Sequence, residues 1–395
     1  MPIGSRALVA LMCTAQLGSL LPHVAVPAVM PTHLIPEWGL SYADAGLMAA
    51  SYAAGYMLAV PVLTTLTDRI DARRILIWGS LLSGLATILF GLLADGLTSA
   101  ILLWGLAGIG FAGAYMPGLK ALTDRLDAAD PSRSITLYTA SFSVGVGLSF
   151  LVSQVIAERW GWRAAFLATG LGPAVMAAVA LWLRPVPPPP RQGALLDFRP
   201  VLRNRAALGY ILGYGAHCFE LYGMRTWIVA FWGFVVARAG GSAPLDAITV
   251  SVIVTVLALP ASILGNEAAL RYGRHRAISI VMLSSALVAA AIGLSIGVSP
   301  WLSLILLLCY AITVPADSGA LTAGMSGTAE PRFRGATLAL HSTVGFGLSA
   351  LGGWAVGAAI DTAGGAASDA GWTAAFMVMG AGVLLGPLAL WWSRR

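Results

Sequence analysis

Residues 143–149 read SVGVGLS, and residues 343–349 repeat the pattern as TVGFGLS. A second segment is copied at a similar offset, since residues 161–166 read GWRAAF and residues 371–376 read GWTAAF. The chain has 395 residues, a mean hydropathy of +0.82 and only 10% charged residues. A duplication in so apolar a chain predicts a membrane protein built from two parallel repeats around a central site, which is an architecture that moves solutes.

The composition excludes most soluble classes of protein. Soluble proteins carry about 25% charged residues, whereas this chain has 10% charged and 58% hydrophobic residues. The net charge of +6 does not indicate nucleic-acid binding, because the basic residues are spread over many short turns instead of one face. We therefore expect the lipid bilayer, and no nucleic acid, as a partner.

No pattern of residues indicates metal binding or covalent catalysis. Cys13, Cys218 and Cys309 lie in apolar stretches without CxxC spacing, which supports neither a disulfide framework nor a zinc site. The single lysine, Lys120, is not part of a phosphate-binding loop, which argues against an ATP-driven pump. No HExxH or GxSxG motif has a plausible setting. We predict neither an enzyme nor a bound cofactor or metal.

The hydropathy pattern predicts twelve transmembrane helices, because about 20 apolar residues cross a bilayer as a helix. The predicted fold class is an all-α membrane protein with two pseudo-symmetric six-helix bundles. The spans are 7–30, 44–66, 75–94, 98–120, 134–157, 164–183, 207–235, 246–265, 277–298, 301–323, 335–360 and 372–392.

A proline-rich segment separates the two halves. Residues 184–191 read RPVPPPPR, and a more polar stretch follows up to Arg205. Proline lacks an amide donor and fixes φ, so the start of this segment is expected to be an extended tether. We predict an N-terminal bundle over 1–184, a cytoplasmic linker over 185–205 and a C-terminal bundle over 206–395.

The basic residues predict the orientation of the spans. Most of them lie in turns on one side of the predicted membrane, at 69–74, 120–133, 184–205, 271–276 and 332–334. Short basic loops stay in the cytoplasm. We therefore expect a multi-pass protein of the cytoplasmic (inner) membrane with both termini in the cytoplasm.

Twelve spans, a six-plus-six duplication and a central linker resemble the major facilitator superfamily over essentially the whole chain. That family carries Gly, Asp-Arg, a second Gly and a basic pair in the turn between its second and third spans. Here the turn over 64–74 reads TTLTDRIDARR, with Thr64 and Asp71 in place of the glycines. The equivalent turn over 265–276 reads GNEAALRYGRHR, with Leu270 in place of the acid.

In that family the turn is a latch that joins the two bundles in one state of the transport cycle. The resemblance assigns this gating role to Asp68 and Arg69, with Arg271 and Glu267 as weaker counterparts. The alternative is that the arginines only anchor the turn at anionic lipid headgroups. Both interpretations stay open for Arg69, whereas an acid among basic residues favours the latch for Asp68.

Two departures from the family pattern bear on the function. The fourth span of the family often carries an Arg linked to proton coupling, where this chain has Trp104, so coupling is not assigned to that site. The fifth span of drug–proton antiporters typically carries Gly-Pro, whereas residues 141–157 contain no proline. This counts against drug efflux, which stays open as an alternative.

Ionisable residues inside spans are few, and each costs about 2.5–3.5 kcal/mol when charged on insertion scales, so each needs a reason. They fall in spans 1, 7, 10 and 11. The set is His23, His217, Glu220, Arg225, Asp317 and His341. In the family, spans 1, 4, 7 and 10 face the central cavity. We predict that His23, His217, Glu220, Arg225 and His341 bind substrate.

Span 7 holds three of these residues. At 100° per residue, Glu220 lies about 60° to one side of His217 and Arg225 about 80° to the other, which allows them to converge on a cavity. Arg225 offers a planar fork of donors that matches carboxylate or phosphate oxygens. An anionic substrate is its natural partner. The alternative is that Glu220 and Arg225 neutralise each other for folding.

Asp317 in span 10 and Lys120 in span 4 follow prolines at nearly equivalent places in the two halves. Both lie towards the cytoplasmic side, where they would form a contact that closes the inner gate. For Lys120, anchoring at the membrane surface is the alternative. For His23 and His341, a substrate ligand and a hydrogen-bonded structural histidine both stay open.

The sequence predicts a secondary transporter that alternates access to a central site between its halves. We expect a small anion as substrate, Arg225 as its clamp and the proton as coupling ion, carried by Glu220 or Asp317. The resemblance is to cyanate, nitrate or organic-anion permeases. Alternatives are an efflux pump for lipophilic compounds, with an aromatic and methionine-rich cavity, and a transporter-like solute sensor. A monomer is expected.

The orientation is testable with fused reporters. A reporter placed after Arg395 is expected to read as cytoplasmic, and one placed in the loop near Gly240 as external, because of the distribution of basic turns. Paired alkaline phosphatase and fluorescent protein fusions measure this. The opposite pattern would invert every assignment of side.

Overall fold

The computed structural model describes residues 4–126, 132–188, 197–330 and 333–394. Within these ranges every regular element is a helix. This is what a bilayer imposes, because helices satisfy their own backbone hydrogen bonds where no water is available. Residues 189–196 of the predicted linker lie outside the described residues.

The helices of the N-terminal half follow the predicted spans in order. They are α1 (Ser5–Leu20), α2 (Ala25–Val29), α3 (Ile35–Trp38), α4 (Tyr42–Leu66), α5 (Ala72–Leu93), α6 (Leu97–Thr123), α7 (Ser132–Gly170) and α8 (Gly172–Trp182). A π-helical turn, Met30–Leu34, joins α2 to α3. The first predicted span is thus the bent series from α1 to α3, whose two parts meet at 50°.

The C-terminal half repeats this order after a short helix in the linker. The helices are α9 (Arg199–Arg203), α10 (Arg205–Arg238), α11 (Ala247–Val256), α12 (Ala258–Tyr272), α13 (Arg274–Ser295), α14 (Pro300–Thr313), α15 (Ser318–Thr328), α16 (Arg334–Thr362), α17 (Asp369–Val383) and α18 (Leu385–Trp392). The tenth predicted span contains a 3-10 turn, Val314–Asp317, between α14 and α15.

Nine helices of the described chain are long and apolar enough to cross a membrane, or ten if the bent first series is counted. One of the nine, the run 137–182, contains two of the predicted spans. Gly161, with φ 82°, breaks the helix between them. That left-handed backbone conformation favours glycine. α10 is 34 residues long but is not among the ten, and it contains Glu220 and Arg225.

The break in the first span has an explicit backbone partner. Ser149 of α7 donates its hydroxyl to the carbonyl of Leu21 at 2.6 Å and accepts the amide of Val24 at 3.1 Å. These backbone groups would otherwise be orphaned at the end of one helix and the start of the next. Ser149, the last residue of the copied segment, therefore supports the bend that positions His23.

The copied glycines lie at contacts between neighbouring helices. A methyl group added at Gly145 would lie 2.6 Å from Leu20 in the same half, and one added at Gly345 would lie 2.5 Å from Tyr214 in its own half. The second glycine of each copy faces the opposite half. Added methyl groups would lie 3.2 Å from Val256 at Gly147 and 2.7 Å from Met57 at Gly347. Small residues at such positions allow close helix packing in membranes.

The two halves are joined at one end of the molecule. We call the end with the turns after α4, α6, α12 and α15 the basic end, and the opposite end the far end. At the far end, the carboxylate of Asp361 on α16 accepts the backbone amides of Tyr42 and Ala43 at 3.1 and 2.6 Å. Gln154 on α7 donates to Ser251 on α11 at 2.9 Å. These contacts cross between the halves.

Glycine packing gives a stability test that is independent of transport. A methyl group at Gly352 would lie 2.9 Å from the carbonyl carbon of Phe219, whereas one at Gly233 meets nothing within 4 Å. Overpacking costs about 1–3 kcal/mol, so Gly352→Ala is expected to lower the thermal unfolding midpoint in detergent by several degrees. The matched control Gly233→Ala should leave it unchanged or raise it, because alanine favours helix. Equal midpoints would contradict the packing described here.

Candidate functional site

The three predicted site residues of α10 point into different surroundings. Glu220 faces α13 and α14, His217 faces the 3-10 turn of the tenth span, and Arg225 lies beside Tyr222 at the seam between the halves. All three are buried. The helical wheel allowed them to converge on one cavity, but their neighbours separate them, and no ion pair joins Glu220 to Arg225 among the described residues.

Glu220 has two hydroxyl donors inside the C-terminal half. Ser285 of α13 donates to its Oε1 atom at 2.8 Å, and Tyr310 of α14 donates to the same atom at 3.0 Å. Thr313 extends this network with a contact of 3.4 Å to Ser285. These two hydrogen bonds fix the position of the carboxyl group inside the C-terminal half.

His217 and Asp317 form the closest pair of ionisable groups that sequence analysis had singled out. The Nδ1 atom of His217 and the Oδ1 atom of Asp317 lie 2.7 Å apart, with both side chains buried. The distance is that of an ion pair, but neither atom makes an aligned hydrogen bond.

His341 of α16 packs close to this pair. Its ring stacks on Tyr214 with centroids 3.8 Å apart, and Tyr214 in turn stacks on His217 at 5.6 Å. The Nε2 atom of His341 lies 3.5 Å from the hydroxyl of Thr322, and its buried Nδ1 atom has no hydrogen-bond partner in the described chain. His341 thus belongs to the His217 and Asp317 cluster.

Arg225 is a buried cation without an acid. Its side chain is 6% exposed, and its guanidinium carbon lies 5.6 Å from the ring centroid of Tyr222. No carboxylate of the described residues lies within 4.0 Å of it. An uncompensated buried charge costs several kcal/mol.

His23 makes a polar contact between the two halves. Its Nε2 atom lies 3.2 Å from the hydroxyl of Tyr222 on α10, beside Arg225. The other side of the imidazole is enclosed by aromatic rings of the N-terminal half, with centroids 5.1–5.3 Å away in Tyr52, Phe111 and Phe142. The structure therefore brings together His23 and Arg225, through Tyr222.

The predicted gating residues lie at the basic end. Asp68 and Arg69 are in the turn after α4, where their amides donate to Thr65 and Leu66 at 3.1 and 3.0 Å. Glu267 and Arg271 are exposed on α12.

The structure does not bring Lys120 to Asp317. Lys120 pairs instead with Asp124, one turn along the same helix, at 2.8 Å. Asp317 pairs with His217. Contact between Lys120 and Asp317 would require both existing partners to be exchanged.

Asp71, which stands where the family has a glycine, joins three segments of the basic end. It pairs with Arg125 at 2.8 Å and accepts the amides of Arg73 and Val186, both at 2.9 Å. Burial would raise the pKa of this carboxyl, but the hydrogen bonds from Arg125 and the two amides outweigh burial, and the pKa lies below its ordinary value. Arg125 also donates to the carbonyl of Arg184 at 2.8 Å. The departure at Asp71 is visible in the sequence, but the contacts that this residue makes are not.

The described residues contain no group of three or more His, Cys, Asp or Glu side chains that could hold a metal ion. Cys13, Cys218 and Cys309 are not in disulfides. The polar chemistry of the interior lies in the seam around Arg225 and in the cluster around Asp317.

The family model of the Major Facilitator Superfamily matches residues 12–353. The chain belongs to this superfamily. The predicted family and the all-helical fold of two six-helix bundles are thereby confirmed, and the protein is a multi-pass membrane protein.

Curated relatives match over parts of the chain. Multidrug resistance protein Stp of Mycobacterium tuberculosis (strain CDC 1551 / Oshkosh) is 27% identical over 38% of this chain and 27% of its own length. Protein spinster homolog 1 of Homo sapiens is 25% identical over 58% of this chain and 46% of its own. The gallate transporter of Pseudomonas putida is 27% identical over 41% and 36%. The matches thus span a quarter to a half of these relatives.

A solved structure shares the whole fold. A bacterial homolog to the human lysosomal transporter Spinster, crystallised in an inward-facing and occupied conformation, superimposes with a TM-score of 0.78 over 98% of this chain and 96% of that chain, at 18% identity. The likeness establishes the fold alone.

Proposed function

We propose that this protein is a secondary transporter for a small anion, which binds Arg225 at the seam between the two halves. The observation that carries this proposal is the buried guanidinium of Arg225, which has no acidic partner in the described chain. The anionic substrate would compensate this charge when it binds, and its release would leave the guanidinium buried without a partner, at a cost in free energy. Binding and the conformational cycle are thereby coupled.

The position of Arg225 supports alternating access. It lies beside Tyr222, whose hydroxyl contacts His23 of the opposite half. A substrate held there would touch both halves, so rocking of one half against the other would change its access from one side to the other. The gallate transporter of Pseudomonas putida, whose substrate is an anion, supports this substrate class.

Proton coupling is the second part of the proposal. The paired His217 and Asp317 form one candidate carrier, and Glu220, held by Ser285 and Tyr310, forms the other. Both lie on or against α10, the helix that carries Arg225. A change in charge at either carboxyl would therefore alter the electrostatic potential at the substrate site, and substrate binding would alter proton occupancy in return.

Efflux of lipophilic compounds is a second candidate function. Aromatic rings surround His23, and one relative is a multidrug resistance protein. In that case Arg225 would be dispensable for substrate binding, because a lipophilic cation or neutral compound makes no use of a guanidinium.

The predicted membrane orientation and domain division are part of the proposal. The basic end carries Asp71, Arg73 and Arg125, which is consistent with a cytoplasmic location under the positive-inside rule. Both termini would then be cytoplasmic, in the inner membrane, with the halves at 1–184 and 206–395 joined by the linker.

Arg225→Lys tests the anion site. The variant keeps the charge but replaces a planar fork by a point charge, so substrate affinity is expected to fall by at least tenfold while folding is preserved. Arg238→Lys is a matched control, because Arg238 pairs with Asp369 in a partly exposed position at the far end. Uptake into proteoliposomes measures both. Wild-type affinity in Arg225→Lys would contradict the anion clamp.

The carrier of the proton is tested by Glu220→Gln and Asp317→Asn. Neutralising the true carrier should abolish accumulation driven by a pH gradient, while sparing exchange of substrate for substrate, because exchange moves no net proton. Accumulation and counterflow are measured in the same proteoliposomes. If both variants still concentrate substrate in response to pH, neither acid carries the proton and coupling lies at a histidine such as His217 or with another ion.

A further inference from the structure

We propose that the anion is a planar aromatic carboxylate that carries a polar substituent on its ring. This inference rests on the proposed anion site at Arg225 and deepens it. The observation behind it is a group of five aromatic side chains at the seam between the halves, each in contact with the next in a closed circle. The group, here called the aromatic cluster, consists of His23, Tyr56, Phe111, Tyr222 and Phe346.

Each member of the aromatic cluster contacts the next. The centroid distances are 5.1 Å from His23 to Phe111, 5.7 Å from Phe111 to Tyr56, 3.7 Å from Tyr56 to Phe346, 5.9 Å from Phe346 to Tyr222 and 6.2 Å from Tyr222 to His23. These are the separations at which aromatic side chains attract one another in stacked or edge-on arrangements.

The aromatic cluster crosses the boundary that must open during transport. His23, Tyr56 and Phe111 belong to the N-terminal half, and Phe346 and Tyr222 to the C-terminal half. Any rocking of the halves that opens this level separates Tyr56 from Phe346, which stack within 22° of parallel. A planar aromatic substrate between them would replace the lost contact on both faces, whereas an aliphatic or inorganic anion would not.

An unpaired polar atom belongs to a member of the aromatic cluster. The hydroxyl of Tyr56 is buried and has no hydrogen-bond partner in the described part of the chain. Buried polar groups are normally paired, and a phenylalanine at position 56 would serve stacking equally well. A hydroxyl or similar group on the substrate would satisfy this hydroxyl.

Arg225 supplies the remaining requirement. Its guanidinium carbon lies 5.6 Å from the ring centroid of Tyr222, which is itself a member of the aromatic cluster. A carboxylate attached to an aromatic substrate can therefore reach the guanidinium while the substrate ring stays beside Phe346 and Tyr222. Charge, plane and polar substituent together define the substrate class.

Binding of a ligand series to the purified wild-type protein tests this inference. The series is benzoate, 4-hydroxybenzoate, 3,4-dihydroxybenzoate, cyclohexanecarboxylate, acetate, nitrate and the neutral benzamide, each measured by calorimetry and by competition in uptake. We expect the hydroxybenzoates to bind most tightly, benzoate next, and cyclohexanecarboxylate at least three- to tenfold more weakly than benzoate, because it matches benzoate in charge and size but lacks the aromatic plane.

The outcomes separate the two proposals. If cyclohexanecarboxylate, acetate or nitrate binds as tightly as benzoate, the aromatic inference is wrong and the anion site stands. If benzamide binds and no anion does, both proposals are wrong and the efflux function is favoured. If none of the series binds, the aromatic-carboxylate inference is overturned.

Two variants probe the assigned residues. Phe346→Leu should weaken benzoate about three- to tenfold but leave cyclohexanecarboxylate unchanged, and Tyr56→Phe should weaken only the hydroxybenzoates. Phe166→Leu is the matched control, because Phe166 is a fully buried aromatic residue that packs on Phe90 and is not a member of the aromatic cluster. Equal losses for benzoate and cyclohexanecarboxylate in Phe346→Leu would reduce Phe346 to a packing residue and overturn its assignment.

Discussion

The close approach of helices at the copied glycines is the constraint on which the rest of the structure depends. In each copy the first glycine faces a helix of its own half, Leu20 or Tyr214, and the second faces the opposite half, Val256 or Met57. A methyl group at any of these positions would lie within 3.2 Å of a side chain on the facing helix, and that side chain would have to move. Because α7 and α16 use the same pattern, the two halves meet through equivalent surfaces, and a pseudo-symmetric seam results.

The seam concentrates groups that a lipid-facing surface could not tolerate. Arg225 is buried without an acid, and the contact of His23 with Tyr222 joins the two halves next to it. Maintaining an uncompensated charge inside a membrane protein costs free energy, and the anion of the proposed function would offset that cost. At the far end, Asp361 binds the start of α4 and so joins the two halves.

The polar residues of α10 show how a single helix serves separate purposes. Glu220 is enclosed by hydroxyl donors from α13 and α14, and His217 contacts Asp317 in the 3-10 turn that interrupts the tenth span. Arg225 alone of the three borders the opposite half. Under the proposed function, this separation would keep a proton carrier from neutralising Arg225 directly.

The sequence by itself determined the membrane class, the duplicated twelve-span fold and the family, because hydropathy and the copied segments are local properties of the chain. It also singled out His217 and Asp317, since charges inside spans are rare whatever surrounds them. Only the tertiary structure decided which side chains meet. The wheel of α10 placed Glu220 and Arg225 on one broad face, but the hydroxyls of Ser285 and Tyr310 come from distant segments. The role of Asp71 and the aromatic cluster likewise depend on contacts between residues far apart in the chain, which no local pattern encodes.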